Sequence, residues 1–254
     1  VHFTSPSLRE QLGAIIERSQ KAGVQQWITI GTDMDDSRAV VELCRDIEGL
    51  YGTIGIHPHD AKTFLTEDAA EMKQLAGEDK IIAFGEIGLD YHYDYSPRPV
   101  QRKVFEIQIG LAEDMDLPVI VHSREAFEDC LAVLDAWPQA AGRTLFHSFS
   151  GGRKDARQVL DRGFYVSFSG MVTFNKAEDI QEAARYVPAD RILLETDCPF
   201  LSPAPRRDVK PNEPALMVHT AEKLAQLRDV AVADVARFTT ENSCRFFGLK
   251  NPVA

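Results

Sequence analysis

Ile81-Ile82-Ala83-Phe84-Gly85-Glu86-Ile87-Gly88 is the stretch whose reading decides the fold. A strand with one wet face alternates apolar and polar residues. This run is apolar or glycine at every position but one, so both of its faces are buried, as in a parallel strand covered by helices. The exception is Glu86. A carboxylate inside such a run is costly unless a cation or a metal ion meets it.

Runs of the same kind recur at Trp27–Gly31 (WITIG), Gly52–His57 (GTIGIH), Pro118–His122 (PVIVH), Thr144–Phe149 (TLFHSF), Phe164–Gly170 (FYVSFSG) and Ile192–Thr196 (ILLET). Helical patterns fill the intervals near residues 7–22, 35–47, 66–76, 99–116, 124–136, 153–162, 175–186 and 214–227. Ser5 and Pro6 have the form of an N-cap and first helical position, and Gly23 and Gly163 that of helix stops. Seven strands alternating with helices are one short of a closed (β/α)8 barrel, a fold that takes about 250 residues. Val1-His2-Phe3 supplies the eighth, as the stub of a first strand whose earlier residues precede the sequence. A doubly wound open sheet calls for a glycine-rich first turn, which is absent. The expectation is an α/β protein, a (β/α)8 TIM barrel with its first strand truncated, forming a single domain over 1–254.

Composition narrows the function. The 254 residues carry a formal charge of −11, which argues against holding nucleic acid on a broad basic surface. An acidic site filled with metal ions can still act on phosphates. No apolar run is long enough to span a membrane, and the visible start has no signal-peptide pattern. The four cysteines are widely spaced and read as reduced, buried thiols. These features lead us to expect a cytoplasmic protein with no membrane association.

In barrels of this kind catalytic groups gather at the C-terminal strand ends. His2 lies near the end of the opening fragment. His57 and His59 follow one strand in GIHPHD, Glu86 sits late in the next, His122 ends PVIVH, His147 lies in TLFHSF, and Asp197 follows ILLET. Imidazoles and carboxylates converging on one face form a ligand set for Mg, Mn or Zn. His92, in an aromatic loop, reads as either a substrate-facing or an incidental residue; His219, in a helical stretch, reads as structural.

GIHPHD, GEIGLDY, HSR, HSFSGG, ETDCPFL and Asn212-Glu213-Pro214, in this order, resemble the signatures of the TatD family of metal-dependent deoxyribonucleases, within the amidohydrolase-like metal-dependent hydrolases. The resemblance covers essentially the whole chain and implies the barrel fold. It implies that His2, Glu86, His122, His147 and Asp197 bind one or two divalent ions, and that His57 faces the substrate phosphate. The chain departs from the family at Ser148 and Ser150, where Cys and Thr are usual. The partner of His2 in a His-x-His pair would fall one residue before Val1.

On this reading DNA is the substrate and no stable protein partner is implied. Glu86, with two oxygens, bridges two ions, while Asp197 binds metal and handles the proton of the attacking water. His57, and secondarily Arg124, neutralise phosphate charge. Glu86 and Asp197 are thus the expected catalytic residues. The rival readings are a hydrolase of the same superfamily acting on a phosphomonoester, an ester or amide, or an aminoacyl-tRNA, and a non-catalytic metal-binding barrel. A strand lysine of the carbamylated kind is absent; Glu86 stands in that place.

Overall fold

A computed structural model describes residues 1–137, 139 and 142–251. Residues 138, 140, 141 and 252–254, part of the expected 1–254 span, lie outside the described residues. In chain order the main elements are α1 (Pro6–Arg9), α2 (Leu12–Lys21), β1 (Trp27–Ile30), α3 (Met34–Asp46), β2 (Leu50–Ile54), α4 (Asp68–Ala76), β3 (Ile81–Asp90), α5 (Arg98–Asp114), β4 (Val119–Arg124), α6 (Phe127–Asp135), β5 (Thr144–Phe146), α7 (Arg153–Asp161), β6 (Tyr165–Phe168), α8 (Glu178–Tyr186), β7 (Ile192–Leu194), α9 (Met217–Arg228) and α10 (Val232–Phe247). Each of the seven expected strands forms. The packing divides the chain into two compact units, Ile28–His147 and Val1–Trp27 with Ser148–Ala254.

In the Ile28–His147 unit, β1 to β5 lie side by side in sequence order. The β2–β3, β3–β4 and β4–β5 pairs are parallel. All ten residues of β3 are buried, as its unalternating sequence requires. Phe84, Ile87 and Leu89 have no exposed surface, and each contributes about 1.5–3 kcal/mol by leaving water. Between Phe84 and Ile87 the register slips by one residue against β4, a bulge that contains Glu86. Bulges re-aim side chains, and this one falls on the single carboxylate of the apolar run. Beyond it Gly88 pairs with His122. Gly88 has φ +139°, and a Cβ there would lie 2.1 Å from the His122 carbonyl oxygen, so only glycine fits. Helix α3 starts where Asp33 caps it, its carboxylate accepting from the Asp36 N–H (2.8 Å), with Asp35 and Asp36 in the first turn and Arg45 in the last.

In the other unit, β6 and β7 pair in parallel. The opening helical pattern forms two helices rather than one, interrupted at Gln11 (φ −120°, ψ 16°). Ser5 and Pro6 take their expected positions, although the Ser5 side chain makes no cap bond. Gly23 (φ +93°) and Gly163 (φ +73°) follow helix ends in the left-handed region. Val1–Phe3 forms no strand of its own; the His2 N–H donates to the Cys198 carbonyl (2.8 Å), shortly after β7. The sequence reading leaves residues 232–247 without an element, yet they form the sixteen-residue helix α10. Asn242 of α10 donates to the Ala189 and Ile192 carbonyls (2.7 and 2.8 Å), fixing the start of β7. Among the described residues, no helix is long and apolar enough to cross a membrane.

Candidate metal centre

Glu86 is the hub of a cluster within the Ile28–His147 unit. Its Oε1 lies 2.6 Å from His147 Nε2, 2.7 Å from His122 Nδ1 and 3.5 Å from His57 Nε2. The residue is 5% exposed. Burial alone would raise its carboxyl pKa; the charge of His147 and hydrogen bonds from His122, His147 and His57 outweigh that and hold it well below the usual carboxylate range.

Strand order places these groups. His122 lies on β4 beside Gly88 of β3. His147 is the first residue past β5, its N–H donating to the Val121 carbonyl (3.2 Å). His57 caps the 3-10 turn Pro58–Thr63 that follows β2, and its N–H donates to the Thr32 carbonyl (2.7 Å). The His57 Nδ1 accepts from the His59 N–H (3.1 Å). The His57 proton therefore sits on Nε2, and the ring offers a donor rather than a lone pair. Burial pushes its pKa down to about 4, against the pull of Glu86.

Two further residues complete the cluster: His59, which the sequence places among the converging histidines, and Asp90, which it does not single out. Asp90, the last residue of β3, is wholly buried. Its Oδ2 meets His59 Nε2 at 2.9 Å and His122 Nε2 at 3.1 Å. Its Oδ1 accepts from the N–H groups of His92 and Tyr93 (2.9 and 3.1 Å). Burial opposes its ionisation, yet the hydrogen bonds from His122, the Tyr93 amide and His59 lower its pKa. His122 is thus gripped at both nitrogens by carboxylates, which raise its pKa despite its burial. Asp90 and His59 stand in the motif runs GEIGLDY and GIHPHD, but neither run shows which side chain each one meets.

The donor set fits a divalent cation. Glu86 Oε1, His122 Nδ1 and His147 Nε2 lie 2.6 to 3.4 Å from one another, and they are the nitrogen and oxygen types that Zn, Mn and Mg accept. Asp90 strengthens the fit. A ligating histidine characteristically gives its second N–H to a carboxylate, and Asp90 stands at His122 Nε2. That leaves Nδ1 directed to the Glu86 side. Because His57 presents an N–H, the lone pairs come from Glu86, His122 and His147.

The remaining expected site residues behave as follows. Arg124 ends β4 with its guanidinium 4.7 Å over the Tyr93 ring. His92 Nδ1 pairs with Glu125 (2.7 Å) in an exposed contact, and His219 pairs with Glu222 (3.0 Å) along α9.

In the unit of Val1–Trp27 and Ser148–Ala254, His2 Nε2 lies 3.6 Å from Asp197 Oδ1. Asp197 has φ +52°, a strained conformation for a residue with a Cβ. The Asn212-Glu213-Pro214 motif explains how that loop is held. Asn212 is buried and donates to the Thr196 and Phe200 carbonyls (2.9 and 2.6 Å), one on each side of Asp197. Glu213 accepts three hydrogen bonds from Arg18 of α2 (2.7 to 3.0 Å). Glu195, unassigned in the sequence reading, accepts from the Ser148 N–H and the Ser167 hydroxyl. The serine at 148 also shares a hydrogen bond with Ser169 (2.8 Å).

Known proteins resemble this chain over almost all of its length. A family model described as TatD related DNase matches residues 1–248. The metal-dependent hydrolase YabD of Bacillus subtilis is 38% identical, over 97% of this chain and 96% of its own length. A protein of Cronobacter sakazakii named 3'-5' ssDNA/RNA exonuclease TatD is 36% identical, over 99% of this chain and 97% of its own length. Among solved structures, the TatD homologue YjjV of Escherichia coli matches with a TM-score of 0.92 at 26% identity, covering 98% of this chain and 96% of that one. The fold is accordingly of the TIM-barrel class, as the strand–helix alternation implied.

Proposed function

This chain belongs to the TatD-related DNase family and is a metal-dependent hydrolase; from that premise we propose that it cleaves phosphodiester bonds of DNA, acting on single strands. The observation that carries the proposal is Glu86, a buried carboxylate ringed by imidazoles in a strand otherwise built for the core. The name of the Cronobacter relative supports a single-stranded nucleic acid as the substrate class.

Glu86, His122 and His147 would hold the ion or ions. A bound divalent ion supplies charge neutralisation at the phosphate and lowers the pKa of water. We extend the ligand set to Asp197 and His2 on the strength of their motifs and of their own 3.6 Å pairing. Asp90 holds His122 in orientation through Nε2. His57, neutral with its proton on Nε2, donates to a non-bridging phosphate oxygen. Arg124 adds a forked cation for the same charge. Asp197 takes the proton of the attacking water and returns it to the leaving oxygen. We read the chain as one hydrolase barrel over 1–254, a span supported by the family match, and its four free, buried cysteines as those of a cytoplasmic protein.

The test is a substrate panel of single-stranded DNA, duplex DNA, single-stranded RNA, a phosphomonoester and a carboxylic ester, run with protein loaded in turn with Mg, Mn and Zn. Single-stranded DNA is expected to be cleaved fastest. Glu86→Gln, which keeps the volume and removes the charge, is expected to abolish cleavage while the circular-dichroism spectrum stays unchanged. Parental DNA cleavage by that variant, or turnover confined to the phosphomonoester or carboxylic ester, would overturn the proposal.

A further inference from the structure

We propose that Arg124, Tyr93 and Tyr95 form a column beside the Glu86 centre on which a nucleobase of a single-stranded nucleic acid stacks, at the Tyr95 end. The inference deepens the nuclease reading and rests on it for the identity of the ligand.

Tyr93 and Tyr95 are 44% and 56% exposed, large apolar rings left facing water on one loop. Their planes are nearly parallel, 10° apart, with centroids separated by 5.1 Å. The Arg124 guanidinium carbon lies 4.7 Å over the Tyr93 ring. A gap of 5.1 Å between rings has no room for a guanidinium, so Arg124 covers the opposite face of Tyr93 and the three groups stack in order. The column then ends on Tyr95, the more exposed ring.

The column is tied to the metal centre by one side chain. His59 stands edge-on to Tyr95 (4.8 Å, 78°) and to Tyr93 (5.4 Å, 87°), while its Nε2 meets Asp90 at 2.9 Å. Its ring centroid is 6.2 Å from that of His122. The loop is fixed before any ligand arrives. Asp90 accepts from the Tyr93 N–H (3.1 Å), Lys62 Nζ donates to the Tyr95 carbonyl (2.9 Å), and Ser96 Oγ donates to the His59 carbonyl (2.7 Å). A ligand pays little ordering entropy on such a surface.

The charge state of Arg124 separates it from an ordinary packing contact. Arg98 also lies over a tyrosine, Tyr91, at 4.3 Å, but its charge is met by Asp94 at 2.9 Å. Arg124 is exposed and has no carboxylate partner among the described residues. Its positive charge and the π-faces beneath it suit a base and its attached phosphate. A chain of net charge −11 draws little affinity from phosphates at large, whereas base stacking works on any sequence. Bases in a duplex are already stacked on one another, so the column selects single strands.

Fluorescence of 2-aminopurine in a short single-stranded oligodeoxynucleotide with phosphorothioate linkages reads stacking on the metal-loaded enzyme. The wild-type protein is expected to quench it. Tyr95→Ala should weaken the apparent binding about tenfold, and Tyr95→Phe should leave it near wild type. In steady-state cleavage, Tyr95→Ala should raise KM for an ordinary oligonucleotide with kcat little changed, and leave an abasic oligonucleotide unaffected. Wild-type protein that fails to quench, a Tyr95→Ala variant that binds as tightly as wild type, or an equal loss on base-bearing and abasic substrates overturns the column. The outcomes are distinguishable from a failure of the nuclease reading. Quenching that is lost in Tyr95→Ala and kept in Tyr95→Phe supports the column even if no oligonucleotide is cleaved.

Discussion

Asp90 shows what a single residue does here and why the sequence conceals it. At the end of an apolar run a lone aspartate reads as a turn residue, and nothing nearby announces a partner thirty-two positions away. Its meaning comes from the β3–β4 register, which sets Asp90 opposite Arg124 and Gly88 opposite His122. Glu86, His122 and His147 were legible because a charged or imidazole group inside or just after a buried strand has no cheap alternative explanation. Asp90 touches His122 through Nε2 and orders the loop amides of His92 and Tyr93. It is a positioning residue, acting on any ion through the imidazole. Asp90→Asn is expected to weaken metal affinity about 10–100-fold, the range found when the outer partner of a ligating histidine is removed. Metal titration under equilibrium dialysis measures this directly. A purely structural role would instead lower the unfolding midpoint and leave the affinity of the folded protein untouched.

At the scale of elements, the strands were readable because each is a short apolar run between turn signals, and burial of both faces enforces that pattern. Helix α10 was not. Its sequence, VADVARFTTENSCRFF, carries threonines, asparagine and β-branched residues, and Ala231 at its start makes no side-chain cap. Tertiary contacts through Val235, Thr239 and Asn242, all buried, decide it instead. Neither could the register of β3 on β4 be read from sequence, since Gly88 looks like any loop glycine until His122 is seen beside it. That glycine carries a sharp expectation. Gly88→Ala forces an L-residue into φ +139° and brings its Cβ 2.1 Å from the His122 carbonyl oxygen. Backbone strain alone costs on the order of 1–3 kcal/mol, and relief of the overlap must part β3 from β4. Urea unfolding should show at least that loss of stability, together with reduced metal binding, because the displaced residue is His122. By contrast Gly13, with nothing within 4 Å of an added Cβ, should accept alanine without loss.

At the scale of the molecule, the acidic sequence and the site chemistry fit together. Many of the arginines and lysines are already paired with carboxylates at the surface, as at Arg38–Glu71, Arg45–Glu78 and Lys73–Asp114, and such pairs contribute little to stability. On the proposed nuclease reading, recognition falls to a few groups near Glu86, because a chain of net charge −11 has little broad attraction for nucleic acid. The thiols show the same division between interior and surface. Cys44, Cys130, Cys198 and Cys244 are all free and all buried. Burial pushes the thiols of Cys44 and Cys130 up to about 12 and that of Cys198 up to about 11, and raises Cys244 as well. Nucleophilic attack needs the thiolate, so at pH 8 the folded protein holds almost none. A colorimetric thiol reagent at that pH should label less than one equivalent on the timescale that suffices for a free peptide. In guanidinium chloride all four equivalents should react promptly. Because labelling then waits on exposure, its rate in the native protein should follow the opening of the fold and slow further when metal is bound, since an ion held by the native state alone stabilises it by mass action. Rapid labelling of even one cysteine in the native, metal-loaded protein would contradict this picture of the interior.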